Sequence, residues 1–196
     1  MSTNASTDAL VLGAGPGALA IAAALGQEKL SVQVLSINDH REIWPYTYGI
    51  WGEEVDQLGL NHLLEHRWSN TVSFFGSGSS NLNNLNNKET EHNKDYGLFN
   101  KQRLQEYWLN QCEAANVNWK IGEAINLNVN EKITTVTTKD GERLKARLVI
   151  DATGYEPVFL KTSQNKDEPI AVQTCYGVVG LFNIPPVKEG QFVLMD

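Results

Sequence analysis

Cysteine, basic charge and long apolar runs are all scarce in this sequence. Its 196 residues include 2 cysteines, Cys112 and Cys175, and no CxxC pair. Two isolated thiols fit packing roles in a reducing compartment, not a disulfide framework or a thiolate metal cluster. Asp and Glu outnumber Lys and Arg by 23 to 16, giving a formal net charge of -7. That balance excludes a nucleic-acid partner gripped through its phosphates, which needs a basic surface. No apolar run reaches the roughly 18 residues of a membrane-spanning helix. Any membrane contact is therefore expected to be peripheral and apolar. The opening MSTNASTDAL has neither a basic region nor a long apolar core, and is not expected to act as a secretory signal. HExxH is absent. His62 and His66 fall at helical spacing within an expected helix from Glu54 to His66, but with no third ligand nearby no metal is expected.

What is present begins at once. Asp8 to Gly13 (DALVLG) is a short apolar run ending in glycine and reads as a buried strand. Pro16 to Gln27 is rich in Ala and Leu, with Pro in the first turn, and reads as a helix. Ser31 to Leu35 alternates and reads as a second strand. Between the first strand and the helix, Gly13-Ala14-Gly15-Pro16-Gly17-Ala18 fits G-x-G-x-x-(G/A). The first glycine allows the tight turn, the second lets backbone approach a pyrophosphate, and the small third residue lets helix and strand pack closely. The helix N-terminus then offers free N–H groups and its dipole to the phosphate. The acid that ordinarily holds the adenosine ribose is out of pattern. Ser36 stands at the expected spacing and Asp39 follows three residues later, leaving two candidates.

Further on, Asn100 to Ala115 reads as a helix capped by Asn100, with Leu104, Trp108 and Cys112 on one stripe. Short strand patterns follow at VNWKIG, AINLNV and KITTVTT, with a turn at Asp140-Gly141. A second buried strand, Arg147 to Ala152, leads into Thr153-Gly154. A strand ending in Asp151-Ala152-Thr153-Gly154 far downstream of a glycine turn, after an antiparallel cluster, points to FAD and places Asp151 and Gly154 near the cofactor. The plainer role for Asp151 is that of a strand-end turn residue. Ser77 to Lys94 is polar and Asn-rich and is expected to be a loop or insertion. AVQTCYGVVGLF and QFVLM read as late strands. The expected division is a cofactor domain over residues 1–160, with 71–97 as an excursion, and the start of a substrate domain over 161–196. With an apolar strand immediately before Asp196, a partial chain is expected.

The stretches LVLGAGPGALAIAAAL, WPYTYGIWGEEVDQLGL, HRWSNTVSFF, YGLFNKQRLQEYWLNQC, RLVIDATG, AVQTCYGVVG and QFVLMD together resemble the plant- and cyanobacterial-type lycopene cyclases, the cyanobacterial ones most of all. The glycine turn is shared by many flavoproteins, whereas YGIW and FVLMD are far more diagnostic. Family members usually read Pro-Ala-Gly where this chain has Pro16-Gly17-Ala18, which leaves the close packing to Ala18. The resemblance implies an α/β fold: a Rossmann-like FAD-binding domain of the two-part, aromatic-hydroxylase-like type, with the start of an antiparallel-sheet substrate domain. It also implies FAD kept reduced by NADPH, lycopene or a related carotenoid as substrate, and a peripheral place on the cytoplasmic side of a photosynthetic or plasma membrane. The net reaction is an isomerisation in which lycopene is protonated at one end, the carbocation closes to an ionone ring, and a proton leaves. The family's proposed catalytic acid belongs to a later Glu-Glu-Thr stretch, so a chain stopping at Asp196 is expected to lack it and to be inactive alone.

That chemistry gives a use to IWPYTYGIWGEE, residues 43–54. Aromatic faces stabilise a cation by about 0.5–2 kcal/mol each without attacking it. Trp44, Tyr48 and Trp51 are therefore candidates to line the substrate side, and Glu53 and Glu54 are candidate acid/base groups. The plainer alternative is that the rings pack the loop and the two acids favour a helix start after Gly52. Lys101 stands where family members often carry Arg, in the first turn of a helix. It is a candidate flavin contact that keeps the charge but loses the bidentate fork. Two other readings stay open: a different flavoenzyme of the same fold, such as a monooxygenase or polyprenyl reductase, and a non-catalytic FAD-binding fragment.

Overall fold

The computed structural model describes residues 6–75, 88–154, 157–159, 183–184 and 188–195. In chain order the elements are β1 (Thr7–Leu12), α1 (Pro16–Gln27), β2 (Val32–Ser36), β3 (Gly49–Trp51), α2 (Gly52–Gln57), β4 (Leu64–Trp68), β5 (Asn70–Phe75), β6 (Lys88–Glu91), β7 (Tyr96–Phe99), α3 (Lys101–Ala114), β8 (Asn118–Ile121), β9 (Ala124–Val129), β10 (Thr134–Thr138), β11 (Arg143–Asp151) and β12 (Gln191–Met195). They fall into two compact units, Met1–Pro45 with Leu104–Glu168, and Tyr46–Arg103 with Pro169–Asp196.

The first unit is built on a six-stranded sheet in the order β8-β2-β1-β11-β10-β9. β8, β2, β1 and β11 run parallel, and β10 and β9 continue antiparallel. β1 is central because its residues Ala9 to Leu12 are apolar without interruption, as a strand covered on both faces requires. Leu10, Leu12, Leu35, Val136, Leu144 and Ala146 form one core cluster. α1 buries Ala18, Leu19, Ala22, Ala23 and Gly26, a face of mostly small residues that lets the helix lie close. A side chain at Gly26 would meet the Ala115 Cβ at 2.8 Å, and the Cys112 thiol donates to the Leu19 carbonyl at 3.4 Å. Burial pushes the pKa of Cys112 up to about 11, so it is a packing residue and a poor nucleophile.

The second unit holds two three-stranded sheets, β12-β5-β6 and β3-β7-β4. Here the structure departs from three sequence expectations. The helix expected from Glu54 to His66 ends at Gln57. Gly59 follows at φ +67, the left-handed conformation that terminates helices. The chain then makes a 3-10 turn at Asn61–Leu63 and enters β4, drawn there by antiparallel pairing with β7. His62 and His66 consequently lie on different elements. Within the segment expected to be a loop, Lys88–Glu91 forms β6 against β5, and residues 77–87 lie outside the described residues. β12 pairs in parallel with β5, so the last strand shares a unit with residues 46–103. The compact units thus follow strand pairing across the chain, not a single boundary at residue 160. The expected strand at residues 171–182, with Cys175, lies outside the described residues.

Candidate cofactor turn and aromatic row

The carboxyl ends of β1, β2 and β11 meet around the glycine turn. Leu12 pairs with Leu35 on one side and Asp151 on the other. Gly13 follows at φ +106 and donates its N–H to the Leu35 carbonyl at 2.8 Å. A Cβ there would stand 2.5 Å from the Ala152 carbonyl oxygen, so the first glycine is demanded by the protein's own backbone. Gly15 is different. It has φ -76 and ψ 177, angles open to any residue, and a Cβ would meet nothing within 4 Å among the described residues. Gly17 is equally open. Neither glycine is needed to make room inside this unit, which leaves the space in front of α1 for an approaching group. Pro16 opens the helix and has no N–H, and the N–H groups of Gly17 and Ala18 come too early to find a helical carbonyl. Ala18 is buried, as its packing role requires.

Ser36 is buried at the end of β2, and its hydroxyl donates to the Asn38 carbonyl at 2.6 Å. Asp39 is exposed, with one carboxylate oxygen accepting the Arg41 N–H. Asp151 organises the loop after β11. One oxygen accepts the Thr153 hydroxyl at 2.6 Å and N–H at 3.3 Å, and the other accepts the Phe159 N–H at 3.0 Å. Partial burial works to raise its pKa, but these hydrogen bonds together outweigh it and hold the carboxyl below its ordinary range. Gly154, at φ +97, continues the loop in open space. Trp44, grouped on sequence grounds with the substrate-facing rings, belongs to this neighbourhood: it is 7% exposed, and its indole N–H donates to the Ala14 carbonyl at 2.8 Å.

In the second unit, Trp51, Tyr96 and Trp68 share one register row across β3, β7 and β4. Trp51 meets Tyr96 edge-on at 5.3 Å, Tyr96 stacks on Phe192 at 4.9 Å, and Trp68 lies 4.7 Å from Phe192. The Lys94 ammonium stands 5.7 Å over the Trp51 ring. Both glycines of GIWG are explained by this packing: a Cβ at Gly49 would fall on the Tyr96 phenol, and one at Gly52 on the Asp95 carboxylate. Asp95 is gripped by Arg67, which also binds Asp56 and Asn61 at 2.6–2.9 Å. Hydrogen bonds from Arg67, then Asn61, hold Asp56 down to about 2. Tyr48 is half-buried, burial raises its phenol pKa with a further push from Tyr46, and its carbonyl accepts the Phe99 N–H. Glu53 and Glu54 are exposed in the first turn of α2. Lys101 opens α3, whose N-cap is Asn100, accepting the Arg103 N–H as expected.

Tyr96, Trp68, Phe192, Arg67 and Asp95 were not singled out by sequence. Each depends on strand partners far away in the chain. The local hint is that Arg67 and Trp68 occur in HRWSNTVSFF, Tyr96 opens YGLFNKQRLQEYWLNQC and Phe192 lies in QFVLMD, stretches already matched to the family.

A parallel sheet with a glycine turn at its centre and an antiparallel extension defines a Rossmann-like α/β unit of the aromatic-hydroxylase type. Solved structures of that class share the fold. They include p-nitrophenol 4-monooxygenase PnpA from Pseudomonas putida (TM-score 0.54, 16% identity, 74% of this chain and 39% of that one) and PqsL, a probable FAD-dependent monooxygenase from Pseudomonas aeruginosa (0.56, 19%, 78% and 44%). The family model described as lycopene cyclase protein matches residues 8–196, and the chain belongs to that family. It is 46% identical over 189 residues to lycopene beta cyclase of Synechococcus elongatus, covering 96% of this chain and 43% of that protein. It is 27% identical to the chloroplastic lycopene beta cyclase of Arabidopsis thaliana, covering 96% and 35%. The chain spans less than half the length of the curated relatives it matches.

Proposed function

We propose that this chain is the FAD-binding portion of a lycopene cyclase, with the substrate-facing sheets begun by its second unit. The observation that carries the cofactor half is the glycine turn. Gly15 and Gly17 face open space at the N-terminus of a twelve-residue helix, and that space suits a pyrophosphate that needs backbone N–H groups without Cβ atoms in the way. The 46% identity to a lycopene beta cyclase supports the reaction.

In this reading the N–H groups at Gly15, Gly17 and Ala18 hold the phosphates, Ser36 or Asp39 meets the adenosine ribose, and Lys101 contributes charge on the flavin. Asp151 keeps the loop through Gly154 in shape through its bonds to Thr153 and Phe159. When bound, FAD reduced by NADPH supplies an electron-rich ring. Tyr48 and Trp51 present π faces to the cation that forms when a terminal double bond of lycopene takes up a proton. Closure of the ring and loss of a proton leave an isomer of the starting material. Glu53 or Glu54 could receive that proton from an exposed helix turn. The carotenoid lies in a bilayer, so the protein works as a peripheral protein on the cytoplasmic face. Among the described residues no helix is long and apolar enough to cross a membrane.

The test is Gly15→Val in the full polypeptide carrying this sequence. Valine fits the local backbone angles but fills the pyrophosphate space, so the purified protein should lose its flavin while remaining folded. Retention of normal FAD stoichiometry would place the cofactor elsewhere. Wild-type protein given NADPH and lycopene in lipid should form cyclised product without stoichiometric oxygen uptake; oxygen consumption matched to NADPH would favour a monooxygenase.

A further inference from the structure

We propose that Trp44 is a positioning residue of the cofactor turn, holding the Ala14 carbonyl so that the Gly15 N–H points toward the phosphate space in front of α1. The inference rests on the dinucleotide-binding reading given above. Its starting point is the hydrogen bond from the Trp44 indole Nε1–H to the Ala14 oxygen, 2.8 Å long and 30 residues apart in sequence. The Ala14 C=O and the Gly15 N–H are the two ends of one planar trans peptide unit and point in opposite directions. Fixing the oxygen on one side fixes the N–H on the other.

This peptide needs such a restraint. It joins Ala14 to Gly15, and Gly15, at φ -76, sets no Cβ against rotation of the plane on that side. Without a partner for Ala14 the plane has no side chain of its own to hold it. A plane free to rotate must be ordered each time an anion binds, and that ordering weakens affinity. The indole removes the cost beforehand.

Trp44 is itself held. It is buried, and the loop that carries it is pinned to α3 by Gln105, which is 5% exposed. The Gln105 side-chain amide donates to the carbonyls of His40 at 3.1 Å and Glu42 at 2.7 Å. The Asp39 carboxylate closes the same loop through the Arg41 N–H. A continuous chain of contacts therefore runs from α3 through Gln105 and residues 40–44 to the glycine turn, all within the first unit.

Two substitutions separate the N–H from the bulk of the ring. Trp44→Phe keeps an apolar ring but has no donor. Trp44→His loses the six-membered ring yet carries its Nε2–H at almost the same place as the indole N–H. Both are made in the full polypeptide, and the apoproteins are titrated with FAD by flavin fluorescence and melted without it. The expected result is that Trp44→Phe weakens FAD binding about tenfold, the size of one lost hydrogen bond, while Trp44→His recovers most of that loss at neutral to alkaline pH. Apoprotein stability should run in the opposite order, with His below Phe. If Trp44→Phe binds FAD as tightly as wild type, or if Trp44→His binds it more weakly than Trp44→Phe, the ring acts by packing and the proposal is overturned. The Gly15→Val control keeps the two claims apart: a variant that retains FAD there defeats the cofactor reading itself, whereas loss of FAD there with unaltered binding in Trp44→Phe defeats only the role of Trp44.

Discussion

Gly13 and Gly15 belong to one motif but answer to different constraints, and a matched pair of alanine variants exposes the difference. In Gly13→Ala the new Cβ would stand 2.5 Å from the Ala152 oxygen, 3.0 Å from its carbonyl carbon and 3.2 Å from the Thr153 Cα. All three are backbone atoms at the end of β11, so no side chain can swing aside. The residue is also held at φ +106, where an alanine is strained by about 1–2 kcal/mol. Overpacking against fixed backbone adds about 1–3 kcal/mol, for a total near 2–5 kcal/mol. For a chain of this size that lowers Tm by roughly 4–20 °C. Gly15→Ala meets no atom of the described residues within 4 Å and has permitted angles, so its apoprotein stability should stay within about 0.5 kcal/mol of wild type. Flavin retention should fall in both, for unlike reasons: in the first because the strand ends separate, in the second because a methyl group occupies the phosphate space. The assay is urea denaturation of the two apoproteins together with FAD content after purification. Equal destabilisation of the two variants would refute the argument, since it would make Gly15 as structural as Gly13 and leave the open space without significance.

Trp51→Leu removes a π face from the proposed substrate side, and product formed per bound FAD should drop roughly five- to thirtyfold with FAD content unchanged, measured in the full polypeptide with NADPH and lycopene; normal turnover with lowered stability would show that its edge contact with Tyr96 is its whole role. Asp56 has its folded pKa depressed from 3.8 to about 2 by Arg67 and Asn61, so its contribution to stability is complete above the unfolded value and is lost as pH falls from near 4 to near 2. Tm measured across that interval should fall less steeply in Arg67→Met than in wild type, and parallel curves would show that the pair contributes nothing. Binding to liposomes should survive high salt if docking is apolar, whereas release by salt alone would show a charge-driven contact.

The parts of this molecule that were legible in the sequence are those whose cause is local. The strand-turn-helix at Thr7 to Gln27 announces itself through an unbroken apolar run, three glycines and a proline at the helix start. α3 announces itself through its Asn100 cap and its apolar stripe. The turn at Asp140-Gly141 has the dipeptide it needs, with Gly141 at φ +85. What was not legible depends on distant partners. Residues 54–66 have enough apolar spacing for a helix, yet Gly59 adopts a left-handed conformation and the pairing of Leu64–Trp68 with Tyr96–Phe99 takes the rest of the segment into a sheet. Lys88–Glu91 is too polar to declare itself a strand and becomes one because β5 offers an edge. The Arg67 network joins residues from 56 to 95 and has no sequence signature at all.

The stretch from Ile43 to Glu54 shows why density of aromatic residues does not by itself define one site. Its rings are divided by the compact units, with Trp44 in the first and Tyr46, Tyr48 and Trp51 in the second. Tyr46 is 71% exposed, Trp44 is 7% exposed, and Tyr48 and Trp51 are intermediate, so the four rings do not share one degree of hydration. Their partners differ as sharply. The indole of Trp44 is satisfied by the Ala14 carbonyl of the glycine turn, while Trp51 stands in a row with Tyr96 and Trp68 beneath an ammonium group. A cation-stabilising role needs an accessible π face, and a positioning role needs a buried donor. Trp44 meets the second criterion, and Trp51, one face of which carries the Lys94 ammonium, is proposed for the first. The two roles separate in measurement: a change at Trp44 should alter how tightly FAD is held, and a change at Trp51 should alter what the bound FAD site turns over. A result in which both substitutions moved the same quantity would overturn that assignment of roles.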